Sequence, residues 1–105
     1  MGFLSSLFGG QDHTEAVRAA LAKGAPIVDV RSANEFAGRH IDGAINIPHD
    51  QIGSKMGTLG PKSRPVILYC RSGARSGAAA RVLLSSGFQE VIDVGPMGKF
   101  PQGVL

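Results

Sequence analysis

The chain has 105 residues, 11 of them basic and 8 acidic, with a formal charge of +3 and one cysteine. That length supports one domain around one core, and a lone cysteine excludes an internal disulfide or a cysteine-rich zinc site, so a reduced, cytoplasmic setting is expected. Arg71 and Arg75 carry two of the three excess charges (+3 minus 2 leaves +1) and the other basic residues are scattered, which argues against a nucleic-acid surface.

Residues 1–11 are expected to form a flexible N-terminal segment and residues 12–105 a single domain. The apolar run Met1–Phe8 is short, lacks a cationic start and is interrupted by Ser5 and Ser6, so neither a cleaved leader nor stable membrane insertion is expected. Gly2 and Ser6 fit a loose N-acylation pattern. The plainer expectation is a frayed terminus whose Phe3, Leu4 and Phe8 pack on the domain or on a neighbour.

Asp12-His-Thr-Glu15 reads as a capping box, with Val17, Ala20 and Leu21 on one helical face and Gly24 closing the helix. Pro26–Val30 is a β-branched strand, followed by Arg31 and a second capping box, Ser32-Ala-Asn-Glu35, that opens a short helix. The spacing of Arg31 and Glu35 suggests an ion pair between them; with Asp29 they are expected to be structural. Ala44, Ile45 and Ile47 form another strand, stopped by Pro48. His40, beside turn glycines, reads as a hydrogen-bonded structural group. His13 and His49 lack neighbours at ligand spacing, so no metal site is expected.

Asp50–Gly60 reads as a short amphipathic helix carrying Ile52, Met56 and Leu59. Then Val66-Ile-Leu-Tyr-Cys70 reads as a buried strand, the small and cationic residues after it as a tight loop, and the Ala-rich stretch ending near Gly87 as a helix. Val91–Val94 is a last strand, and the tail from Gly95 is rich in glycine and proline. Strands alternating with helices imply an α/β fold with a parallel sheet covered on both faces. No internal repeat is present, and the sequence assigns no oligomeric state.

The chemistry concentrates at Cys70. A free thiol titrates near pH ~8.5, so little is thiolate at neutral pH. A helix N-terminus favours the anion by about 0.3–1 kcal/mol, whereas a guanidinium ~4 Å away at an effective dielectric near 20 offers about 4 kcal/mol before desolvation. Arg71 or Arg75 is therefore expected to activate Cys70 and to draw in an anionic substrate. Gly73 permits a sharp turn, and the small Ser72, Ala74 and Ser76 leave backbone N–H groups open to an oxyanion.

The motifs Asp29-Val-Arg31, Glu35-Phe36, Gly38, His40-Ile41, Gly43-Ala-Ile-Asn-Ile-Pro48, Cys70-Arg-Ser-Gly-Ala-Arg-Ser76 and Gly87-Phe88 together resemble the rhodanese family of sulfurtransferases. The resemblance implies a three-layer fold around a five-stranded parallel sheet, with Cys70 as nucleophile and Arg71, Ser72, Gly73, Ala74, Arg75 and Ser76 binding the substrate. It implies sulfane-sulfur transfer from thiosulfate, or a persulfide donor, through a Cys70 persulfide to cyanide, a thiol or a protein acceptor, with no cofactor. Two other readings are a persulfide carrier or sensor that docks on a protein, and a phosphatase or arsenate reductase sharing the fold. Those enzymes use Cys-x5-Arg, usually after His; here four residues separate Cys70 from Arg75 and Tyr69 precedes the cysteine, which favours a sulfur-sized pocket. The resemblance departs at Gly95-Pro96 and Phe100, where family members commonly carry Gly-Gly and Trp, so one side of the pocket is expected to be less covered.

Overall fold

The structure is a computed structural model that describes residues 12–105. The expectations for residues 1–11, namely flexibility, absence of a leader or membrane insertion, the acylation pattern at Gly2 and Ser6, and packing of Phe3, Leu4 and Phe8, lie outside the described residues. Among the described residues no helix is long and apolar enough to cross a membrane.

Helix α1 spans Thr14–Ala22 and buries Val17 and Ala20. Its capping box does not form. The helix starts one residue later than that motif requires, after His13, so Glu15 reaches forward to Arg18 at 2.9 Å while Asp12 accepts from the Thr14 N–H at 2.9 Å. The second capping box is present: α2 spans Ala33–Gly38, the Ser32 side chain accepts from the Glu35 N–H, and the Glu35 carboxylate accepts from the Ser32 N–H.

Strands β1 (Ile27–Asp29), β2 (Ile45–Asn46), β3 (Val66–Cys70) and β4 (Val91–Pro96) form one parallel sheet in the order β2-β1-β3-β4. The sheet has four strands among the described residues, not the five that the family resemblance implied. After β4 the chain turns through a 3-10 segment, Met97–Lys99, and Gly98, Pro101 and Gly103 leave no uninterrupted extended stretch to pair. Between β2 and β3 the expected amphipathic helix is replaced by two 3-10 segments, His49–Ser54 and Met56–Leu59. Gly53 and Gly57 each cost a helix about 1 kcal/mol, and the short turns still bury Ile52 and Leu59.

Residue alternation along the strands builds a core on each face of the sheet. Val28, Val66, Leu68 and Cys70 pack with Ile52, Leu59, Ala79 and Leu83, the last two from helix α3 (Ala74–Ser85). Ile27, Ile67 and Tyr69 pack on the opposite face with Val17 and Ala20 of α1, Ile92, Val94 and Phe100. These are the three layers the sequence predicted.

The strand order fixes where a ligand can bind. From β1 the chain moves outward to β2, then returns to the other side of β1 to form β3 and continues to β4. Neighbouring β1 and β3 therefore send their following connections in opposite directions, which opens a crevice at their carboxyl ends. Cys70 ends β3 at this crevice.

Candidate active site

Five consecutive buried residues, Val66–Cys70, form the central strand and deliver the cysteine to its end. The chain must then turn at once into α3. Gly73, with φ +102°, makes that turn as the residue before the helix, in a conformation costly for any residue with a Cβ. Pro96 supports the turn from the side. An irregularity in the β3–β4 pairing leaves Val94 unmatched and sets Pro96 opposite Cys70, with its Cδ 3.7 Å from where a Gly73 Cβ would stand. Pro96 thus walls the loop rather than leaving it open.

Cys70 Sγ is fully buried. The Gly73 N–H donates to it at 2.9 Å, and it lies 3.4 Å from Ser76 Oγ, itself buried and donating to the Gly73 carbonyl at 3.2 Å. Burial pushes the thiol pKa up, but hydrogen bonding with the Ser76 side chain and hydrogen bonds from the Ser76, Gly73 and Ser72 N–H groups outweigh it and leave the thiol more acidic than an ordinary cysteine. The donors nearest the sulfur belong to the loop, and the Arg75 guanidinium adds a Coulombic attraction beside them.

Arg75 makes its hydrogen bonds elsewhere. Its Nη1 and Nη2 donate to the two oxygens of Glu35 at 2.8 and 3.0 Å, a bidentate pair across 40 residues of sequence. Hydrogen bonding to Arg75, and then to the Ser32 N–H, holds the Glu35 carboxyl well below the usual carboxylate range. Glu35 therefore caps α2 and anchors the first turn of α3 together. It does not pair with Arg31, as its spacing suggested. Arg31 turns back to Asp29, donating from Nε at 2.9 Å and from Nη2 at 2.6 Å. Arg71, Ser72 and Ala74 are exposed on the rim, and Arg71 forms no ion pair among the described residues. The loop thus brings together Cys70, Gly73, Ser76 and the Ser72 N–H, and leaves Arg71 exposed and without an ion-pair partner among the described residues.

His40 is structural in its contacts, as expected: its Nδ1 lies 2.8 Å from the Phe36 carbonyl and its ring stacks on Phe36 at 3.8 Å. Two cavities open on this part of the molecule. One, of about 510 Å3, runs between Arg39–Asp42 and the tail and includes none of residues 70–76. The other, of about 340 Å3, is bounded by Ser32, Pro48, His49, Asp50, Gln51 and Arg75.

Ser76 was named in the sequence for its small size, yet here its hydroxyl is a direct partner of Sγ. Ser76→Ala is expected to slow the reaction of Cys70 with thiol reagents about tenfold at pH 7. It removes one hydrogen bond to an anion, typically ~1.5 kcal/mol or more. The midpoint of the pH–rate curve should move up, since the folded thiolate loses a stabilising donor. A curve that coincides with that of the parent would show that Ser76 does not hold the sulfur.

A buried cysteine at the carboxyl end of a central parallel strand, with loop N–H groups and the Ser76 hydroxyl closing over its sulfur, defines an α/β protein built around one acidic thiol. The chain belongs to the rhodanese-like domain family, whose model matches residues 13–95. It is 41% identical over 80 residues to the Bacillus subtilis protein YqhL, covering 76% of this chain and 62% of that one. It is 35% identical to the thiosulfate sulfurtransferase GlpE of Shewanella oneidensis, covering 73% of this chain and 75% of that protein. The chain thus spans less than two thirds of YqhL and three quarters of GlpE. Among solved structures, a rhodanese with anions from Escherichia coli superposes with a TM-score of 0.68 at 30% identity, covering 71% of this chain and 89% of the other.

Proposed function

We propose that this chain is a sulfurtransferase that takes a sulfane sulfur from thiosulfate or a persulfide donor onto Cys70 and passes it to cyanide or a thiol acceptor. The observation that carries this reading is the closure of the loop on Sγ, with the Gly73 N–H at 2.9 Å and a thiol made acidic by its donors. Sulfurtransferase relatives support it at the level of the family. The Cys70 thiolate attacks the outer sulfur of thiosulfate; a new S–S bond forms, the old one breaks, and its electron pair leaves with sulfite. The resulting persulfide anion needs the same donors that held the thiolate, so the loop stabilises both ends of the step. Chemistry through a reduced thiol, with no disulfide partner in the chain, suits a reducing compartment such as the cytoplasm.

The reading predicts that intact-mass spectrometry after incubation with thiosulfate finds one added sulfur atom on Cys70 and one sulfite released. Added cyanide should remove that sulfur as thiocyanate. A chain that keeps the sulfur in the presence of acceptors is a carrier rather than a turnover enzyme. A chain that gains none, or that instead hydrolyses an aryl phosphate, removes the proposal.

The two loop arginines should separate kinetically. Arg71→Ala is expected to raise KM for thiosulfate about threefold and weaken its salt dependence, the scale of one exposed charge worth ~0.2–1 kcal/mol. Arg75→Ala, which frees the Glu35 clamp from the loop, should lower kcat instead. Equal effects of both variants on both constants would contradict this division.

A further inference from the structure

We infer that Asp93, the third residue of β4, is a positioning residue for Cys70, a role that rests on the Cys70 chemistry proposed above: its carboxylate fixes the bulge that sets Pro96 against the Gly73 turn. It acts through these residues rather than on the sulfur.

The register of the strands shows what the bulge does. Asp93 stands opposite Leu68, but the next matched pairs are Tyr69 with Gly95 and Cys70 with Pro96, so β4 carries one more residue than β3 over this stretch. With unbroken pairing Gly95 would stand opposite Cys70, and a residue without a side chain would face the loop. The extra residue brings the pyrrolidine ring there instead.

Asp93 supplies the local cause. Its Oδ1 accepts from the Gly95 N–H at 3.0 Å, a two-residue turn that competes with ladder pairing. Gly95 completes that turn with φ +83°, a conformation costly for any residue with a Cβ. The same carboxylate also reaches the helix: Oδ2 lies 3.7 Å from where a Gly77 Cβ would stand, and the Gly77 N–H donates to the Gly73 carbonyl at 3.0 Å. One side chain therefore lies between the strand end and the helix start that border the cysteine loop.

From there the effect reaches Sγ through Gly73. The Gly95 Cα and the Pro96 Cδ lie 3.9 and 3.7 Å from where a Gly73 Cβ would stand, and the Gly73 N–H is the donor 2.9 Å from Sγ. A glycine has many backbone conformations open to it, so the wall beside it selects the one that aims this N–H at the sulfur. Loss of the Asp93 acceptor frees Gly95, withdraws the wall and lets the donor swing away.

The pH midpoint of Cys70 alkylation by iodoacetamide tests this, because it reports the stability of the thiolate and not how quickly the reagent enters. Asp93→Ala should raise the midpoint by about 0.5–1 pH unit, the scale of one weakened hydrogen bond to the sulfur. Asp93→Asn keeps an acceptor for the Gly95 N–H and should leave the midpoint at the parent value or slightly below it, since a nearby negative charge has gone. Pro96→Ala should raise the midpoint as Asp93→Ala does, and the double variant should go no further than the larger single effect. A role through charge alone would lower the midpoint in Asp93→Ala and Asp93→Asn together, and a role in folding alone would lower the urea midpoint and leave that of the thiol unmoved. Either result overturns the proposal, as does a rise common to Asp93→Ala and Asp93→Asn. An unmoved thiol in Pro96→Ala also overturns it, and that variant decides where Asp93→Ala does not fold. The expected shifts in a chain that takes up no sulfur from thiosulfate keep the role of Asp93 and remove the sulfur-transfer reading.

Discussion

Replacing Cys70 with serine is expected to reduce sulfur uptake and thiocyanate formation to the uncatalysed background while leaving the fold intact. The serine hydroxyl is not ionised near neutral pH, and the loop donors that make a thiol acidic cannot bring an alcohol into range. The replacement is nearly isosteric and keeps a partner for the Gly73 N–H that now meets Sγ at 2.9 Å. Stability should therefore change by no more than about 1 kcal/mol. Circular dichroism and a urea titration establish the fold, and intact mass after thiosulfate reads the chemistry. Residual turnover well above background in a folded Cys70→Ser protein would place the nucleophile elsewhere, and no other residue in this chain offers a thiol.

The position of Cys70 was legible because local signals agree there. Five apolar residues end at the cysteine, a glycine follows three residues later, and an Ala-rich stretch continues as a 12-residue helix. Strand, turn and helix each have a short-range cause, so the order and parallel layering followed without any contact map. The pairings did not. Arg31 stands four residues before Glu35, which resembles a helical pair, but Ser32 is the cap of α2 and Arg31 lies outside the helix. Four-residue spacing gives adjacency only inside a helix. Arg31 stands at a bend just after β1, where its backbone N–H and its guanidinium both reach back two residues to the Asp29 carboxylate. The Glu35–Arg75 pair spans 40 residues and depends on how α2 and α3 meet across the sheet end, which no periodicity records.

The account of what activates Cys70 was incomplete for a related reason. A count of charges near Cys70 favours the arginines because a guanidinium is individually stronger than an N–H dipole. The comparison assumes that both groups point at the sulfur. Gly73 turns the backbone so that N–H groups do, while Arg75 hydrogen-bonds to a carboxylate that the local sequence does not reveal and acts on the sulfur only through its charge. The extra strand also came from the resemblance alone. The residue pattern itself marks four extended runs, and four strands form among the described residues.

The second large effect is expected at Asp29, which is fully buried and accepts from four donors. Its oxygens receive the Arg31 N–H at 2.9 Å, Arg31 Nε and Nη2, and the Tyr69 hydroxyl at 2.7 Å. Tyr69 in turn accepts from the Ile41 N–H at 3.0 Å, and the Asn46 amide donates to the Asp29 and Arg31 carbonyls at 3.0 Å. Burial pushes the Tyr69 phenol up to about 12, so it remains a donor throughout the neutral range. Asp29→Ala would leave a guanidinium that is only 6% exposed without its counter-charge, and breaking such a pair from one side costs about 3–5 kcal/mol. For a domain whose whole stability is on the order of 5–15 kcal/mol, that is a loss visible as a large fall in the urea midpoint. Tyr69→Phe removes one hydroxyl and strands the Ile41 N–H, and should cost about 1–3 kcal/mol. The ranking separates this account from a simple cavity argument: Asp29→Ala opens a smaller volume than a buried Leu→Ala substitution, with the same three heavy atoms removed, but should cost at least as much. A change under about 1 kcal/mol for Asp29→Ala would mean that Arg31 finds water on its own and that the network does not hold the strands together. If the larger loss is found, the sheet end that carries Cys70 rests on a charge pair that must form for β1, β2 and the connection through α2 to close around it.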